Sequence, residues 1–335
     1  MRTGLLRLTA LQTMMLVKGA EAPSALARAR DLLPEAPTPN ATTHGEFEAF
    51  EWWDTHDQLF RDAWMELGSL NPAMANFDNA FEQRFIAPAM RNAVRAAIES
   101  EGRYEDGVTG LFTQVIPGVF MTTNLFTKEF LDGMCDELDH FRSAGIPMRR
   151  PNGMNRYGCM LDDMPVRHMI RGFVGRYVTP VAQTLFPAHI GAEDTAEHYA
   201  FSVRYAQGED LALAEHRDAS VATLNVCLGK DFTGGDLEFV GEDGERHRVA
   251  FTPGMALIHL GAHRHQALPL ESGERTNMII WLHGEGGVVR VAPYSTGEQL
   301  TAESRWSSLS GRQKLLNWVP KLGFGSSAEA GGAGL

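Results

Sequence analysis

The chain has 335 residues, of which 44% are hydrophobic and 21% are charged, and this ordinary globular composition suffices for one large domain or two modest ones. A formal net charge of -12 argues against nucleic acid as a general partner, because proteins that bind nucleic acid usually carry a basic face. Three widely spaced cysteines, Cys135, Cys159 and Cys227, predict no disulfide framework and favour a reducing compartment. No apolar run is long enough for a transmembrane segment. From the cysteine usage we expect an intracellular, cytoplasmic protein.

Residues 1–109 are predicted to form a helical N-terminal region with a flexible or targeting start. Residues 1–20 carry basic residues and no acidic one, which leaves organellar targeting open, although an ordinary amphipathic helix is the favoured interpretation. The Pro-, Ala- and Thr-rich stretch at 34–46 is predicted to be a loop. Aromatic and apolar residues recur at helical spacing over 47–100, which indicates packing against the following domain or a dimer contact. The sequence does not define the oligomeric state.

Residues 110–290 are predicted to form the principal domain, and 291–335 terminal helices with a disordered tail. The domain begins with a strand at 112–120, followed by a helix for which Thr127 is the expected N-cap. A second helix is expected over about Pro165 to Phe186. The strand HYAFSVRY then leads towards the most informative stretch, from Tyr205 to Trp281.

This stretch contains a pattern typical of a non-haem iron site. His216 and Asp218 are two residues apart, so both side chains can reach one metal ion from a single strand end. His265 follows after several short segments with strand composition, separated by glycine and proline, as expected of an all-β barrel or jelly roll. Two histidines and one carboxylate form a facial triad with open metal positions. His259 and His263 are nearby competitors for the third position.

The ordered motifs resemble the prolyl 4-hydroxylase and lysyl hydroxylase group of Fe(II)/2-oxoglutarate dioxygenases. The matching pieces are His216 and Asp218, Thr223 to Val226, Phe232 to Gly235, Pro253-Gly254, His265 to Pro269, Gly273 and Arg275. Upstream, RPNGMNRYGCML (Arg150 to Leu161) resembles a segment of a small subfamily of 2-oxoglutarate and iron-dependent oxygenase domain proteins. The combined similarity extends from about residue 112 to 284.

The resemblance implies an α+β fold with a double-stranded β-helix (jelly-roll) core, flanking helices and a helical N-terminal region. It also implies Fe(II) bound by His216, Asp218 and His265, 2-oxoglutarate as co-substrate, O2 as oxidant and ascorbate as reductant. The donor set alone also permits Zn or Mn. Arg275 occupies the place of the basic residue that meets the far carboxylate of 2-oxoglutarate. By analogy and by strand alternation, Asn225 is a candidate for a polar contact to 2-oxoglutarate, and Tyr205 is a second candidate.

The resemblance further implies hydroxylation of an unactivated C–H bond, with a prolyl or lysyl side chain of a protein as the favoured substrate. Four residues of the upstream segment are candidates for the entrance of the site, or else form a loop packed on the barrel: Asn152, Asn155, Arg156 and Tyr157. The alternatives are the same chemistry on a free amino acid or small metabolite, and a non-catalytic barrel that acts as a binding module. A metal-dependent hydrolase or zinc cupin is a more remote alternative and would not need Arg275.

Overall fold

The computed structural model describes residues 23–37, 52–99, 105–152, 154–187, 189–190, 198–283, 288–290 and 299–301. The segment at 1–20, most of the predicted loop at 34–46 and the glycine-rich C-terminal tail lie outside these residues. Within the described parts of the chain, no helix is long and apolar enough to cross a lipid bilayer.

Helices dominate the first part of the chain, and several begin at a side-chain cap. The Ser24 hydroxyl accepts a hydrogen bond from the Ala27 amide, and the Asp78 carboxylate accepts one from Phe81. Thr127 caps its helix by accepting from the Phe130 amide, as the sequence predicts. The described α-helices are α1 (Ala25–Asp31), α2 (Asp57–Leu67), α3 (Asn79–Phe85), α4 (Pro88–Glu99), α5 (Glu105–Val108), α6 (Lys128–Ser143), α7 (Arg167–Phe173) and α8 (Thr179–Leu185).

The helix predicted over Pro165 to Phe186 is divided into α7 and α8 by a π-helical turn at Val174–Val178. This wider turn lies directly before Pro180, which has no amide hydrogen to continue the regular hydrogen-bond ladder. Hydrophobic periodicity alone does not reveal such a local widening.

The strands form two facing antiparallel sheets. The larger has the order β1-β2-β10-β6-β12-β4-β3, with β7 paired to β12, and the smaller has the order β5-β11-β8-β9. This is the double-stranded β-helix of the predicted α+β fold. The strands are β1 (Thr113–Ile116), β2 (Val119–Thr122), β3 (Gly158–Met160), β4 (His198–Ala206), β5 (Leu213–His216), β6 (Ala222–Gly229), β7 (Phe232–Gly234), β8 (Leu237–Val240), β9 (Arg246–Val249), β10 (Ala256–Leu260), β11 (His265–Ala267), β12 (Leu270–Leu282), β13 (Val288–Arg290) and β14 (Gln299–Thr301).

Three strand predictions need correction. The single strand expected at 112–120 is a hairpin, because Pro117 and Gly118, with φ of 78°, turn the chain between β1 and β2. The apolar run ERTNMIIWL predicts a last barrel strand that begins with Arg275, but β12 begins at Leu270, so Arg275 lies inside it. The short pair β13–β14 places a strand where a terminal helix was expected. The pairing of two strands that are separated along the chain leaves no periodic pattern in the sequence of either strand.

The N-terminal helices and the barrel share one hydrophobic core. Phe126 stacks on Phe130 of α6 with 3.8 Å between ring centroids, and it also contacts Phe173 of α7 at 4.8 Å. Trp64 of α2 lies edge-on to Phe141 of α6 at 5.7 Å. The aromatic residues of the predicted helical region therefore serve packing against the barrel layer.

Glu137 of α6 ties the loop after α2 to this core. Its side chain is fully buried and accepts hydrogen bonds from the amides of Leu70 at 3.0 Å and Asn71 at 2.6 Å. Burial raises the pKa of Glu137, and these two hydrogen bonds partly offset that rise.

We expect Glu137→Leu to lower the free energy of unfolding by about 2–6 kcal/mol, because two partly buried amides lose a charged acceptor at roughly 1–3 kcal/mol each. Glu129→Leu on the same helix is the control, since Glu129 is half exposed and its pair with Arg84 contributes no more than about 1 kcal/mol. Urea unfolding followed by circular dichroism measures both. Equal losses in the two variants would contradict a special role for Glu137.

Candidate functional site

The three predicted metal ligands converge at one end of the barrel. His216 ends β5, and Asp218 follows in the turn, where its amide donates to the Gly261 carbonyl. His265 begins β11 and pairs directly with His216 in the strand register. The two imidazole centroids are 4.3 Å apart, and one ligand atom from each of the three residues lies within 4.8 Å of the others. All three side chains are buried.

The hydrogen bonds of both histidines turn the same ring atom towards Asp218. Nδ1 of His216 donates to the Ala214 carbonyl at 2.8 Å, and Nδ1 of His265 donates to the His263 carbonyl at 3.1 Å. In the neutral form of each ring, Nε2 is then the acceptor, and it lies 3.4 Å (His216) or 3.8 Å (His265) from a carboxylate oxygen of Asp218. Buried acceptors that face one another without a shared proton suit a cation between them.

The electrostatics agree with this protonation pattern. Burial, and to a smaller extent the neighbouring His216, lower the pKa of His265 to about 3. Burial alone would raise the pKa of Asp218, but the neighbouring His265 and His216 outweigh it and hold that pKa well below its usual range. A neutral imidazole and an ionised carboxylate are the forms that bind a metal ion.

Two further side chains lie next to Asp218, and one of them, His259, is named from the sequence only as a competitor for the third metal position. The Thr223 hydroxyl on β6 donates to Asp218 Oδ2 at 2.6 Å and thereby orients the carboxylate. His259 of β10 is buried, and its Nε2 lies 3.6 Å from the same oxygen, while its Nδ1 donates to the Leu260 carbonyl at 2.9 Å. The period-two alternation of β6 and β10 could have indicated both positions, because they lie on the inner face.

His263, the other competitor for the third position, is directed elsewhere. Its ring packs against Gly118 in the β1–β2 turn, where an added Cβ would lie 2.5 Å from Nε2. Burial lowers the pKa of His263 to about 4, partly offset by a hydrogen bond with the Pro117 backbone.

Arg275 lies on the inner face of β12 with only 1% of its surface exposed. Its Nη1 donates to the Gly235 carbonyl, and its guanidinium carbon lies over the Tyr205 ring at 4.6 Å, with Phe232 and Phe251 at 5.8 and 6.0 Å. Within the described residues, no carboxylate forms an ion pair with it and its Nε has no acceptor. A buried guanidinium in this condition fits a carboxylate ligand such as that of 2-oxoglutarate.

The other predicted contacts divide into two groups. Tyr205 pairs with Arg275 in register and also hydrogen-bonds Asn155, and burial raises the pKa of its hydroxyl. The side-chain oxygen of Asn225 is buried and has no partner in the described residues, and the same holds for Asn277. Arg156, by contrast, is held by Asp210, with Nε 2.7 Å from Oδ1.

Asn152 organises the loop itself, because its Oδ1 accepts from the amides of Met154 and Asn155 at 2.9 Å each. Tyr157 has its ring 5.7 Å from the Arg156 guanidinium carbon, and its carbonyl accepts from the Arg204 amide at 3.0 Å. Among the described residues of the upstream segment named above, Asn155 is therefore the one that hydrogen-bonds Tyr205 beside Arg275.

Comparisons with known proteins agree with the motifs. The OGFOD2-like domain matches residues 70–191. The 2-oxoglutarate and iron-dependent oxygenase domain-containing protein ICU11 of Arabidopsis thaliana is 36% identical over 212 residues, covering 59% of this chain and 51% of that protein. The 2-oxoglutarate and iron-dependent oxygenase domain-containing protein 2 of Danio rerio is 35% identical over 219 residues, covering 60% of this chain and 60% of that protein. A prolyl 4-hydroxylase structure from Phytophthora capsici aligns at 16% identity with a TM-score of 0.44, covering 68% of this chain and 75% of that one.

The relatives found belong to the Fe(II)/2-oxoglutarate-dependent dioxygenase class. Within that class, this chain is similar to the 2-oxoglutarate and iron-dependent oxygenase domain-containing proteins, as the upstream segment suggested. It spans between half and two thirds of the length of these two relatives.

We expect Asp218→Ala and His265→Ala to weaken Fe(II) binding by at least about 100-fold, since even residues that merely orient ligands affect metal affinity 10- to 100-fold. His263→Ala should retain the metal because its ring is turned towards the β1–β2 turn. We also expect His259→Ala to largely retain it, although its ring lies nearer the carboxylate. Anaerobic Fe(II) titration, with circular dichroism to verify folding, tests all four variants. Loss of metal in His263→Ala alone would mean that this strand has been misassigned.

We expect Arg275→Ala to raise the dissociation constant of 2-oxoglutarate at least about thirtyfold, because truncating one partner of a buried charge pair costs roughly 2–5 kcal/mol. Gly235→Ala should also weaken 2-oxoglutarate binding, since the new Cβ would lie 2.8 Å from Arg275 Nη1. Gly208→Ala is the matched control, with a similar φ of 84° but open space around the new Cβ. Titration of the anaerobic Fe(II) protein measures all three, and an unchanged affinity in Arg275→Ala would place the co-substrate elsewhere.

Proposed function

We propose that this protein is an Fe(II)- and 2-oxoglutarate-dependent hydroxylase of an unactivated C–H bond, with a prolyl or lysyl side chain of a protein as substrate. One observation carries the proposal. The acceptor cluster of His216, Asp218 and His265 and the unpaired guanidinium of Arg275 lie within one barrel. A metal-dependent hydrolase would need the cluster but not the buried cation.

In this proposal each residue has a defined task. His216, Asp218 and His265 hold the iron, and Thr223 keeps the carboxylate of Asp218 oriented. Arg275 would bind the far carboxylate of 2-oxoglutarate. Bound iron, 2-oxoglutarate and O2 supply the oxidant, with succinate and CO2 as co-products. No side chain is needed as a general acid or base.

The surroundings of Arg275 support its assignment. Tyr205, Phe232 and Phe251 exclude water around the guanidinium, and a charged hydrogen bond is stronger in such an environment. Asn155 fixes the Tyr205 hydroxyl, which becomes a second contact for the co-substrate. Unpartnered polar atoms of Asn225, Asn277 and Trp281 lie on the same inner face and would contact the co-substrate or the substrate.

The substrate class rests on the order of the motifs, and the compartment rests on the cysteines. The motif order resembles enzymes that hydroxylate prolyl and lysyl side chains, and we extend that substrate class to this chain. An intracellular location is supported by Cys135, Cys159 and Cys227, all of which are buried free thiols. Ascorbate would serve as the reductant that keeps the iron in the ferrous state.

Succinate release in the presence of Fe(II), 2-oxoglutarate and ascorbate tests the proposal. We expect slow release alone, stimulation by a member of a proline- and lysine-containing peptide library, and a mass increase of one oxygen atom on that peptide. Asp218→Ala should abolish all three effects, and omission of ascorbate should shorten the period of activity.

Stimulation by a free amino acid but by no peptide would favour the small-metabolite alternative. Binding of a peptide without any succinate release, by protein that holds iron and 2-oxoglutarate, would favour a non-catalytic binding module.

A further inference from the structure

A second buried arginine lies outside the metal and co-substrate site. Arg149 is only 8% exposed and precedes the loop that carries Asn155. Its Nη2 donates to the Met160 sulfur at 2.7 Å, and a thioether is a weak acceptor. Its Nε and Nη1 are buried without any hydrogen-bond partner in the described part of the chain. Burial of a guanidinium whose N–H groups lack acceptors lowers the stability of the fold, unless a ligand or a water molecule accepts hydrogen bonds from them.

Arg149 faces a cavity of about 30 Å³ between α2 and the segment before β3. This is room for roughly two water molecules or one carboxylate group. The aromatic side chains of Trp53, Phe60 and Trp64 form one wall, and Met148 and Met160 form part of the other. Neither the proposed metal ligands nor Arg275 line it, so the cavity is a separate place in the fold.

The other charged groups at the cavity are engaged with one another. Arg61 lies 3.1 Å from Asp57 and 3.6 Å from Asp163. Burial raises the pKa of Asp163, with Arg149 and Arg61 opposing that rise. Arg149 is therefore the charged group at this cavity that still has unused hydrogen-bond donors.

We propose that this cavity is a second ligand site, which takes a carboxylate group on Arg149. Along either edge of a guanidinium, two N–H groups match the two oxygens of a carboxylate, and both edges of Arg149 have an unused donor. The carboxylate belongs to a small free acid or to an acidic side chain of a bound peptide. Apolar walls around the pair strengthen it by excluding water. The site stands independently of the hydroxylase assignment.

A contact chain connects this site with the barrel interior. The Met160 sulfur accepts from Arg149 and lies 3.1 Å from the Tyr199 hydroxyl, which donates to the Pro151 carbonyl. The Tyr199 ring is 5.8 Å from the ring of Trp281, which lies on the inner face of β12 together with Arg275. Two side chains, Met160 and Tyr199, thus separate Arg149 from the barrel-lining Trp281.

The test uses the full chain labelled with ¹⁵N-arginine and loaded with Zn(II) and excess 2-oxoglutarate, so that Arg275 is already occupied. Arg149→Lys identifies the Arg149 Nε–H signal by its loss. Sodium acetate is titrated against sodium chloride at matched ionic strength. We expect the Arg149 signal alone to shift with saturation at about 1–10 mM acetate, a range consistent with so small a ligand.

Acetate affinity in the variants is read from the indole signals of Trp53 and Trp64, in separate samples labelled with ¹⁵N-tryptophan. Arg149→Gln should weaken acetate at least about tenfold, and Asp163→Asn should tighten it, because a competing negative charge is removed. Absence of a saturable shift, or a shift that persists in Arg149→Gln, would overturn the proposal. Anaerobic 2-oxoglutarate titration of Arg149→Gln should give the wild-type affinity, which separates this outcome from any failure at Arg275.

Two peptides that differ only by Glu in place of Gln distinguish the sources of the carboxylate. A shift of the Arg149 signal with the Glu peptide but not with the Gln peptide assigns the site to an acidic side chain of a peptide. A shift with acetate and with neither peptide assigns it to a small free acid. Equal shifts with both peptides would show that Arg149 does not recognise the carboxylate.

Discussion

The strand register of the larger sheet is the constraint on which the site depends. β4, β12 and β6 pair so that Arg275 lies opposite Tyr205, and Trp281 lies opposite both Tyr199 and Thr223. Side chains alternate along a strand, so a slip of one residue would turn Arg275 towards the helices and Thr223 away from Asp218. The inner face is therefore polar at specific positions within a sheet that is otherwise apolar.

The site also depends on contact between the two sheets, because the residues around the predicted metal ligands come from both. His216 and His265 belong to the smaller sheet, and the Thr223 that orients Asp218 belongs to the larger one. The Phe239 ring of the smaller sheet is 5.2 Å from His259 of the larger sheet and 5.3 Å from His265. Separation of the sheets would detach Asp218 from Thr223 while His216 and His265 stay paired, so a bound ion that includes Asp218 would be expected to strengthen this contact.

Much of the barrel and its site could be predicted from local patterns in the sequence. The spacing of His216 and Asp218, the punctuation of the strands by glycine, and the Thr127 cap are all short-range signals. The hairpin at Pro117-Gly118, the early start of β12 and the proximity of His259 to Asp218 depend on partners distant in the sequence. His259 shows the limit well, since an isolated histidine in a strand carries no sign of the carboxylate opposite it.

Arg149 and Arg275 present one physical problem in two settings. Both guanidinium groups are removed from water, and neither forms an ion pair in the described residues. For Arg275, an aromatic ring at 4.6 Å and the Gly235 carbonyl compensate part of the cost, and 2-oxoglutarate would compensate the rest. Arg149 has only a thioether acceptor and more distant acidic groups, so its cost is less well offset. A fold that retains two such residues at about 1–3 kcal/mol for each unsatisfied group is better explained by ligands than by stability.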